Sequence, residues 1–282
     1  MSDRLGTAPE ANEAYRRDLL EKGYALFALS DEVEAGIQAV YAVAEDFFGL
    51  AADLKDSAEL PFGCGHIPLG QEHSGDPARP DQVDIFIASA RTAPLARALD
   101  VVPARHLHAA MMRVFDAIEP LAEGLICHIA TQLCGGSVTR LRGGLRRWSQ
   151  VQLNRALPTE PGTVVNTPHE DGHLLTFVHA TGPGLELSIT NAFVPIARPP
   201  KRVVLMPGSA LTLLTGGQIL PLHHQVRAHF SERPRLSLMF FADLDPNLCQ
   251  PWRLDSCNEG VDIGAHVLAN APRFGVPGFT RE

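Results

Sequence analysis

The chain has 282 residues, 45% of them hydrophobic and 20% charged, so it is long and apolar enough to bury a substantial core. Its formal net charge of −8 argues against a large basic surface for nucleic acid. The 5 cysteines form no C-x-x-C pair, and their odd number disfavours a closed disulfide framework. The N-terminus has no apolar signal region, and no apolar run reaches the length of about 18 residues that a membrane span needs. These features predict a soluble, cytoplasmic protein that acts on neither membranes nor nucleic acid.

The beginning of the chain predicts two helices separated by a strand. Residues 9–22 suit a short amphipathic helix, and the apolar stretch 23–29 that follows is typical of a strand. Asp31, with Glu34 three residues later, fits a capping box at the start of a second helix. Apolar residues then recur at helical spacing until Gly49.

A long loop and the longest helix complete the first half. Residues 56–83 are rich in Gly, Pro and polar residues and predict a loop, and a loop of that length in a compact domain is usually functional or disordered. Apolar residues at helical spacing predict a helix over about 105–133, ended by the glycine pair 135–136.

From about Ser149 the hydrophobic period changes from helical to alternating. Turn signals rich in Gly and Pro separate the short apolar runs, which favours a sandwich or barrel. The predicted strands are 149–155, 174–179, 185–189, 203–206, 210–214 and 236–242. We therefore expect an α+β protein with a mainly β core in a single domain over 1–282. Residues 1–148 would form helical support and substrate loops, 149–245 the β core, and 246–282 a C-terminal segment.

Two histidines and an aspartate form a candidate metal site. His169 and Asp171 are two residues apart, so on an extended backbone they point to the same side while Glu170 points away. Two imidazoles and one carboxylate are the set that holds non-haem Fe(II) and leaves positions open for other ligands. The third ligand must come from a distant strand, where His224 and its neighbour His223 are rivals, since alternation allows only one of them to face inward.

Arg235 and Ser237 form a candidate anion site on the last predicted strand. They share a face with Met239 and Phe241. An arginine inside a barrel needs an anionic partner, because an unpaired buried charge is costly. A carboxylate matches the planar guanidinium fork best, so the pair predicts binding of an organic acid.

Ten segments spread over the chain carry a resemblance to a known family. They include Pro168-His169-Glu170-Asp171 followed by Leu175-Thr176, and Arg235-Leu236-Ser237 followed by Phe240-Phe241. In these segments the chain resembles the isopenicillin N synthase-like branch of the Fe(II)/2-oxoglutarate dioxygenases. The segments are residues 23–27, 47–50, 70–72, 84–86, 168–177, 184–187, 207–209, 214–217, 224–226 and 235–241.

The resemblance implies a fold, cofactors and a reaction. The fold would be a double-stranded β-helix, or jelly roll, with an N-terminal helical layer. Fe(II) would be held by His169, Asp171 and His224, since His224-Gln225-Val226 stands where the family has its distal histidine motif. 2-Oxoglutarate, the co-substrate used with O2, would place its distal carboxylate on Arg235 and Ser237. The implied reaction is hydroxylation, desaturation or cyclisation of a small molecule, with release of succinate and CO2.

One departure from the family concerns the strand before the metal site. The family usually has a tyrosine there that helps to hold 2-oxoglutarate, whereas this chain has Asn154-Arg155-Ala156. Asn154 or Arg155 is a candidate replacement in binding the co-substrate. The alternation along 151–155 also allows Arg155 to enter the site and bind an acidic group of the substrate, and we slightly favour this second role. An exposed or ion-paired structural arginine is the alternative for Arg155.

Two other functions remain open at the level of the sequence. One is an oxidase like isopenicillin N synthase, which uses the same metal site without 2-oxoglutarate. The other is a barrel that has lost catalysis and only binds a ligand. The sequence specifies neither the substrate nor the oligomeric state.

Overall fold

A computed structural model describes residues 9–134, 144–244, 249–250 and 261–270. The helices within these ranges are α1 Pro9–Lys22, α2 Asp31–Phe48, α3 Ala52–Asp56, α4 Ala93–Ala96, α5 Val102–Cys134, α6 Ser209–Leu214 and α7 Ile263–Asn270. The strands of the first half are β1 Ala25–Ala28, β2 Glu59–Leu60, β3 Cys64–Ile67 and β4 Asp84–Ser89. Those of the second half are β5 Gln150–Ala156, β6 Val164–His169, β7 Leu175–Ala180, β8 Leu185–Ile189, β9 Ala192–Pro195, β10 Arg202–Pro207, β11 His224–Arg227, β12 Arg235–Ala242, β13 Cys249–Gln250 and β14 Val261–Asp262.

Two antiparallel sheets form the β core of the described chain. The larger has the strand order β1-β10-β7-β12-β5-β4-β3-β2, and the smaller has the order β6-β11-β8-β9. Neighbours in the sheets are mostly distant in sequence, as in a double-stranded β-helix. The predicted jelly-roll fold is therefore confirmed, including its N-terminal helical region.

The larger sheet has one face toward the helices and the other toward the smaller sheet. Residues Val151, Leu153, Leu236, Leu238 and Phe240 belong to the same hydrophobic cluster as the buried residues of α2 and α5. The alternate residues of β12, Met239 and Phe241, belong to a second cluster with Leu185 and Leu187 of the smaller sheet. Because side chains alternate along a strand, the second face defines the interior of the barrel.

The predicted helices and the first strand agree with the structure, which adds the short helices α3 and α4 and the strands β2, β3 and β4. The helices over 9–22, 31–48 and 102–134 are present. The predicted loop 56–83 contains the short strands β2 and β3, and β4 follows it; all three extend the larger sheet beyond β5. The alternation that marks a half-exposed strand is absent from β4 because all six of its residues are buried.

The prediction of a strand over 210–214 is wrong, because these residues lie in the helix α6. Its buried side chains include Ala210, Leu211 and Leu214, a spacing that a helix brings to one side. A short apolar run fits a buried strand or a buried helix equally well by its pattern. Backbone hydrogen bonds from Gly208 N to Leu174 O (3.1 Å) and from Ser209 N to Asp171 O (2.8 Å) place the helix start against the chain after β6.

None of the described helices is both long enough and apolar enough to cross a bilayer.

Candidate metal centre

His169, Asp171 and His224 converge at one end of the smaller sheet. His169 is the last residue of β6 and lies opposite His224, the first residue of β11, in the antiparallel register. Asp171 follows in the turn after β6. One possible ligand atom from each residue lies within 4.8 Å of the other two, and this is the one such group of three found in the described chain.

The hydrogen bonds around the three side chains leave the correct atoms available for a metal ion. His169 Nδ1 lies 2.7 Å from Thr167 O, and His224 Nδ1 lies 3.3 Å from Leu222 O. A ring N–H that donates to a carbonyl fixes the tautomer in which Nε2 carries the free lone pair. The distance from Asp171 Oδ1 is 3.6 Å to His169 Nε2 and 3.8 Å to His224 Nε2.

Asp171 is itself oriented by a buried hydroxyl. Thr176 Oγ1 donates a hydrogen bond of 2.5 Å to Asp171 Oδ2, which leaves Oδ1 directed toward the two imidazoles. Thr176 is fully buried on β7, so its side chain has little freedom to turn away. Two neutral imidazoles and one carboxylate, each held by a further contact, fit a non-haem iron ion with open coordination positions.

The charges of the site also suit a cation. Burial, together with the neighbouring His169, lowers the pKa of His224 to about 4, so its imidazole is neutral at physiological pH. Burial by itself raises the pKa of Asp171, but His224, His169, His173 and the Thr176 hydroxyl together bring it below its usual value. Asp171 is therefore a carboxylate and His224 a neutral imidazole, the protonation states in which both bind metal.

The rival histidine lies outside this cluster. The side chain of His223 is 53% exposed, against 9% for His224, and its Nδ1 lies 3.9 Å from Glu170 Oε2. Glu170 and His223 thus point away from the barrel together, while their neighbours point inward. This arrangement follows from the alternation of side chains along the two strands.

Arg235 and Ser237 lie together at the start of β12, and Arg235 borders a cavity of about 310 Å³. Arg235 donates from one terminal nitrogen to Ser237 Oγ and from Nε to Pro183 O (2.7 Å). Burial lowers the pKa of Arg235 to about 10, so it remains a cation. Val178, Leu185 and Val204 of the barrel interior form the apolar walls of the cavity. Organic acids with an apolar chain fit such a cavity, because it offers one charged end within apolar walls.

The two candidates on β5 face opposite sides. Asn154 lies opposite Ser237 and Gln152 opposite Met239, and Gln152 Nε2 donates to Asn154 Oδ1 (2.9 Å), so both face the interior. Arg155 lies opposite Leu236 on the helical face, with its guanidinium carbon 5.7 Å from the centre of the Phe48 ring. The prediction that Arg155 enters the site is therefore corrected, because the strand alternation directs it to the helical layer instead.

Two polar features near the site were not among the sequence candidates. Thr176 lies in the segment that follows the H-x-D motif, but the sequence of that segment does not predict its hydrogen bond to Asp171. His173 Nδ1 lies 2.5 Å from Asp243 Oδ2, and the His173 ring stacks on Phe241 with centroids 4.2 Å apart. The spacing of 70 residues between His173 and Asp243 has no sequence signature, and their pairing follows only from the sheet.

Comparisons with solved structures place the fold among oxygenases. Full-length Neurospora crassa T7H in complex with alpha-KG is similar, with a TM-score of 0.77 and 17% identity over 94% of this chain and 90% of that one. The rice dioxygenase for auxin oxidation has a TM-score of 0.64 and 21% identity over 85% and 80% of the two chains. The 2-oxoglutarate complex of dioxygenase for auxin oxidation 1 from Arabidopsis thaliana has a TM-score of 0.67 and 15% identity over 90% and 96%.

Sequence comparison matches part of the chain to a family model. No curated protein matches the chain significantly. The model of the 2OG-Fe(II) oxygenase superfamily matches residues 148–243, the part of the chain that contains the three metal-ligand candidates and Arg235. Together with the converging His-Asp-His cluster, this match shows that the chain contains a 2OG-Fe(II) oxygenase domain over residues 148–243 and is a 2-oxoglutarate-dependent non-haem iron dioxygenase.

Proposed function

We propose that this enzyme hydroxylates a small-molecule substrate, with His169, Asp171 and His224 as the iron ligands and Arg235 and Ser237 as the site of the distal carboxylate of 2-oxoglutarate. The observation that carries the proposal is that the chain has both a converging His-Asp-His cluster and a guanidinium at the wall of a cavity lined by apolar residues of the barrel interior. Asn154, beside Ser237 on the interior face, is the proposed replacement for the missing tyrosine.

The residues of the chain have distinct tasks in this proposal. Thr167 O and Leu222 O accept the Nδ1 protons of the two histidines and keep both Nε2 atoms free for iron. Thr176 holds one oxygen of Asp171, so that the other binds the metal. Bound iron and 2-oxoglutarate together supply the oxidation of a substrate C–H bond by O2, with conversion of the 2-oxo acid to succinate and CO2. Because Asp171 provides a carboxylate, we propose hydroxylation as the outcome, with desaturation or cyclisation as variants of it.

Arg235 favours a 2-oxoglutarate-dependent reaction over an oxidase that uses no co-substrate. Its described partners are a carbonyl and a hydroxyl, and neither neutralises its charge. A cation at the wall of an apolar cavity is stabilised by a carboxylate ligand, which 2-oxoglutarate supplies.

The test measures succinate and the binding of 2-oxoglutarate in the wild type and in Arg235→Gln. We expect the wild type with Fe(II) to release succinate, and to develop a visible charge-transfer absorption when 2-oxoglutarate is added without oxygen. Loss of a charge-assisted contact costs roughly 2–5 kcal/mol, so the apparent affinity for 2-oxoglutarate should fall by well over tenfold in Arg235→Gln. Unchanged saturation by 2-oxoglutarate in that variant would contradict the assignment and favour the oxidase. Wild-type protein that binds iron but never forms succinate would favour the ligand-binding barrel.

The expectations about cellular location, partners and domain boundaries stay predictions. They are cytoplasmic location, the absence of nucleic-acid partners, and one oxygenase domain over 1–282 with its β core at 149–245. Residues 246–282 lie largely outside the described residues.

A further inference from the structure

A second guanidinium borders the same cavity as Arg235. Arg198, in the segment after β9, forms part of its wall together with Ile196 and Ala197. Val178 and Val204 from the larger sheet also line the cavity. The wall of this cavity therefore includes two positively charged side chains, and the sequence motifs singled out only Arg235.

Neither arginine forms an ion pair with a carboxylate within the described part of the chain. Arg198 donates to three carbonyl oxygens, Ala180 O at 3.3 Å, Pro199 O at 3.4 Å and Arg202 O at 3.0 Å. Arg235 donates to one carbonyl and one hydroxyl. Each guanidinium has five N–H donors, so both retain donors that these contacts do not use. Two cations on one cavity repel each other unless an anion lies between them.

The carbonyl contacts hold Arg198 at the cavity wall. Ala180 is the last residue of β7 and Arg202 the first of β10, two strands that pair in the larger sheet. Arg198 is half-buried, and its hydrogen bonds to both strands limit the movement of its long side chain. A guanidinium anchored in this way loses less conformational entropy when it binds an anion than a free surface arginine does.

The other side of Arg235 offers no such donor. Its neighbour in the sheet on that side is Ala156, which lies directly opposite Arg235 in the register of β5 and β12. Ala156 is the next interior-facing residue after Asn154 and has no polar side-chain atom. Among the residues that line the cavity, Arg198 is the cation other than Arg235 that could contact an anion bound there.

We propose that Arg198 is a second cationic residue for the distal carboxylate of 2-oxoglutarate, and that it makes the pocket selective for dicarboxylic over monocarboxylic 2-oxo acids. The inference rests on the proposed function, because it assumes that Arg235 marks the distal end of the co-substrate. In this arrangement one carboxylate accepts hydrogen bonds from both guanidiniums and from the Ser237 hydroxyl, while the apolar walls contact its methylene groups. Arg198 would thus be a specificity-determining residue outside the motif that contains Arg235.

The experiment measures binding rather than turnover. Titration calorimetry without oxygen, on protein loaded with Mn(II) in place of iron, would give the affinity for 2-oxoglutarate and for 2-oxopentanoate. The second acid has the same metal-binding keto-acid end and no distal carboxylate. The proteins compared are the wild type, Arg198→Gln, Arg198→Lys and, as a matched control, Arg202→Gln. Arg202 is an exposed arginine four residues away that donates to Leu26 O and does not border the cavity.

We expect Arg198→Gln to weaken binding of 2-oxoglutarate by about 5- to 20-fold, the range for loss of one charge-assisted hydrogen bond at a partly exposed site. Binding of 2-oxopentanoate should stay unchanged, which also shows that the variant is folded and holds its metal. Arg198→Lys should recover part of the loss, and Arg202→Gln should match the wild type.

Three results would overturn the inference in distinguishable ways. Unchanged 2-oxoglutarate affinity in Arg198→Gln, with a loss in Arg235→Gln, would refute the role of Arg198 and leave the proposed function intact. An equal loss for both acids would show that Arg198 supports the structure rather than the distal carboxylate. Wild-type protein that fails to distinguish the two acids would refute both this inference and the role assigned to Arg235.

Discussion

At the scale of single residues, neighbouring side chains decide which atoms of the metal site are free. His223 and His224 are adjacent and chemically identical, yet one is mostly exposed beside Glu170 and the other is buried beside Asp171. The difference arises because successive residues of an extended chain point to opposite sides. The role proposed for each histidine therefore follows from the face it occupies and not from its residue type.

The two histidines give a direct test of the ligand assignment. We expect His224→Ala to weaken Fe(II) binding by at least about 100-fold. Loss of a residue that only orients a metal ligand already lowers metal affinity by about 10- to 100-fold, and loss of the ligand itself should lower it more. His223→Ala should bind iron almost as the wild type does. Anaerobic titration with Fe(II) would measure both. The reverse order of effects would show that the wrong histidine has been assigned.

Thr176 should affect metal affinity although it does not contact the metal. Thr176→Val keeps the shape of the side chain and removes the hydroxyl that orients Asp171 Oδ2. We expect Fe(II) affinity to fall by about 10- to 100-fold, in the range typical of residues that support a ligand. The control is Thr131→Val, which removes a hydroxyl that donates to Cys127 O within α5. Equal affinity in the two variants would show that Asp171 needs no hydrogen bond to be oriented.

At the scale of elements, the start of α6 supports the turn that contains Asp171. Ser209 N donates to Asp171 O, and Gly208 approaches the same turn closely. A Cβ atom at Gly208 would lie 2.1 Å from His173 O and 2.8 Å from Asp171 O. Neither backbone oxygen can move without displacing the chain around Asp171, the proposed metal ligand. Gly208 is therefore required by close approach, since its own φ of −104° is accessible to other residues.

Gly208→Ala should consequently affect both stability and the metal site. We expect a loss of about 1–3 kcal/mol in the free energy of unfolding, the usual cost of overpacking, together with weaker Fe(II) binding. Gly182→Ala is the matched control, because a Cβ atom there meets nothing within 4 Å. Urea unfolding and Fe(II) titration on both variants would measure the two effects. Wild-type metal affinity in Gly208→Ala would mean that the turn adapts without moving Asp171.

At the scale of the whole molecule, buried histidines connect stability to pH. His108 of α5 is 3% exposed, and burial, with a smaller contribution from Arg97, lowers its pKa from 6.5 to about 4. The folded state therefore binds its proton less readily than the unfolded chain does. This stabilising contribution is complete above about pH 6.5 and is lost as the pH falls toward 4. His179 has a pKa lowered to about 4, mainly by burial, and contributes with the same sign.

Replacing His108 should make the acid side of the stability profile shallower. The shift corresponds to roughly 3 kcal/mol between pH 6.5 and pH 4. We expect His108→Gln to lose much of that dependence in urea unfolding measured across this range, whatever its stability at neutral pH. His106→Gln, a change at an exposed position two residues earlier, should retain the wild-type slope. Parallel profiles for the wild type and His108→Gln would show that other groups control the acid transition.

The sequence was sufficient to predict the three long helices of the first half, five strands of the second half, and the pair of metal-ligand candidates His169 and Asp171. Those features depend on local periodicity and on motifs whose residues are near each other in sequence, such as His169 and Asp171. The choice of His224 needed the resemblance of its segment to a family motif. Arg235 and Ser237 could also be identified because both lie on one strand with a regular alternation.

Only the tertiary structure decided which residues meet across the barrel. The direction of Arg155 was predicted wrongly because alternation gives two faces without saying which one is the interior, and the pairing of β5 with β12 settles that. Residues 210–214 were predicted as a strand but lie in the helix α6, because a short apolar run shows neither helical nor strand periodicity. Arg198 joins Arg235 at one cavity only through the packing of segments 37 residues apart. Local patterns determine which way a side chain can point along its own element, whereas long-range packing determines what it faces.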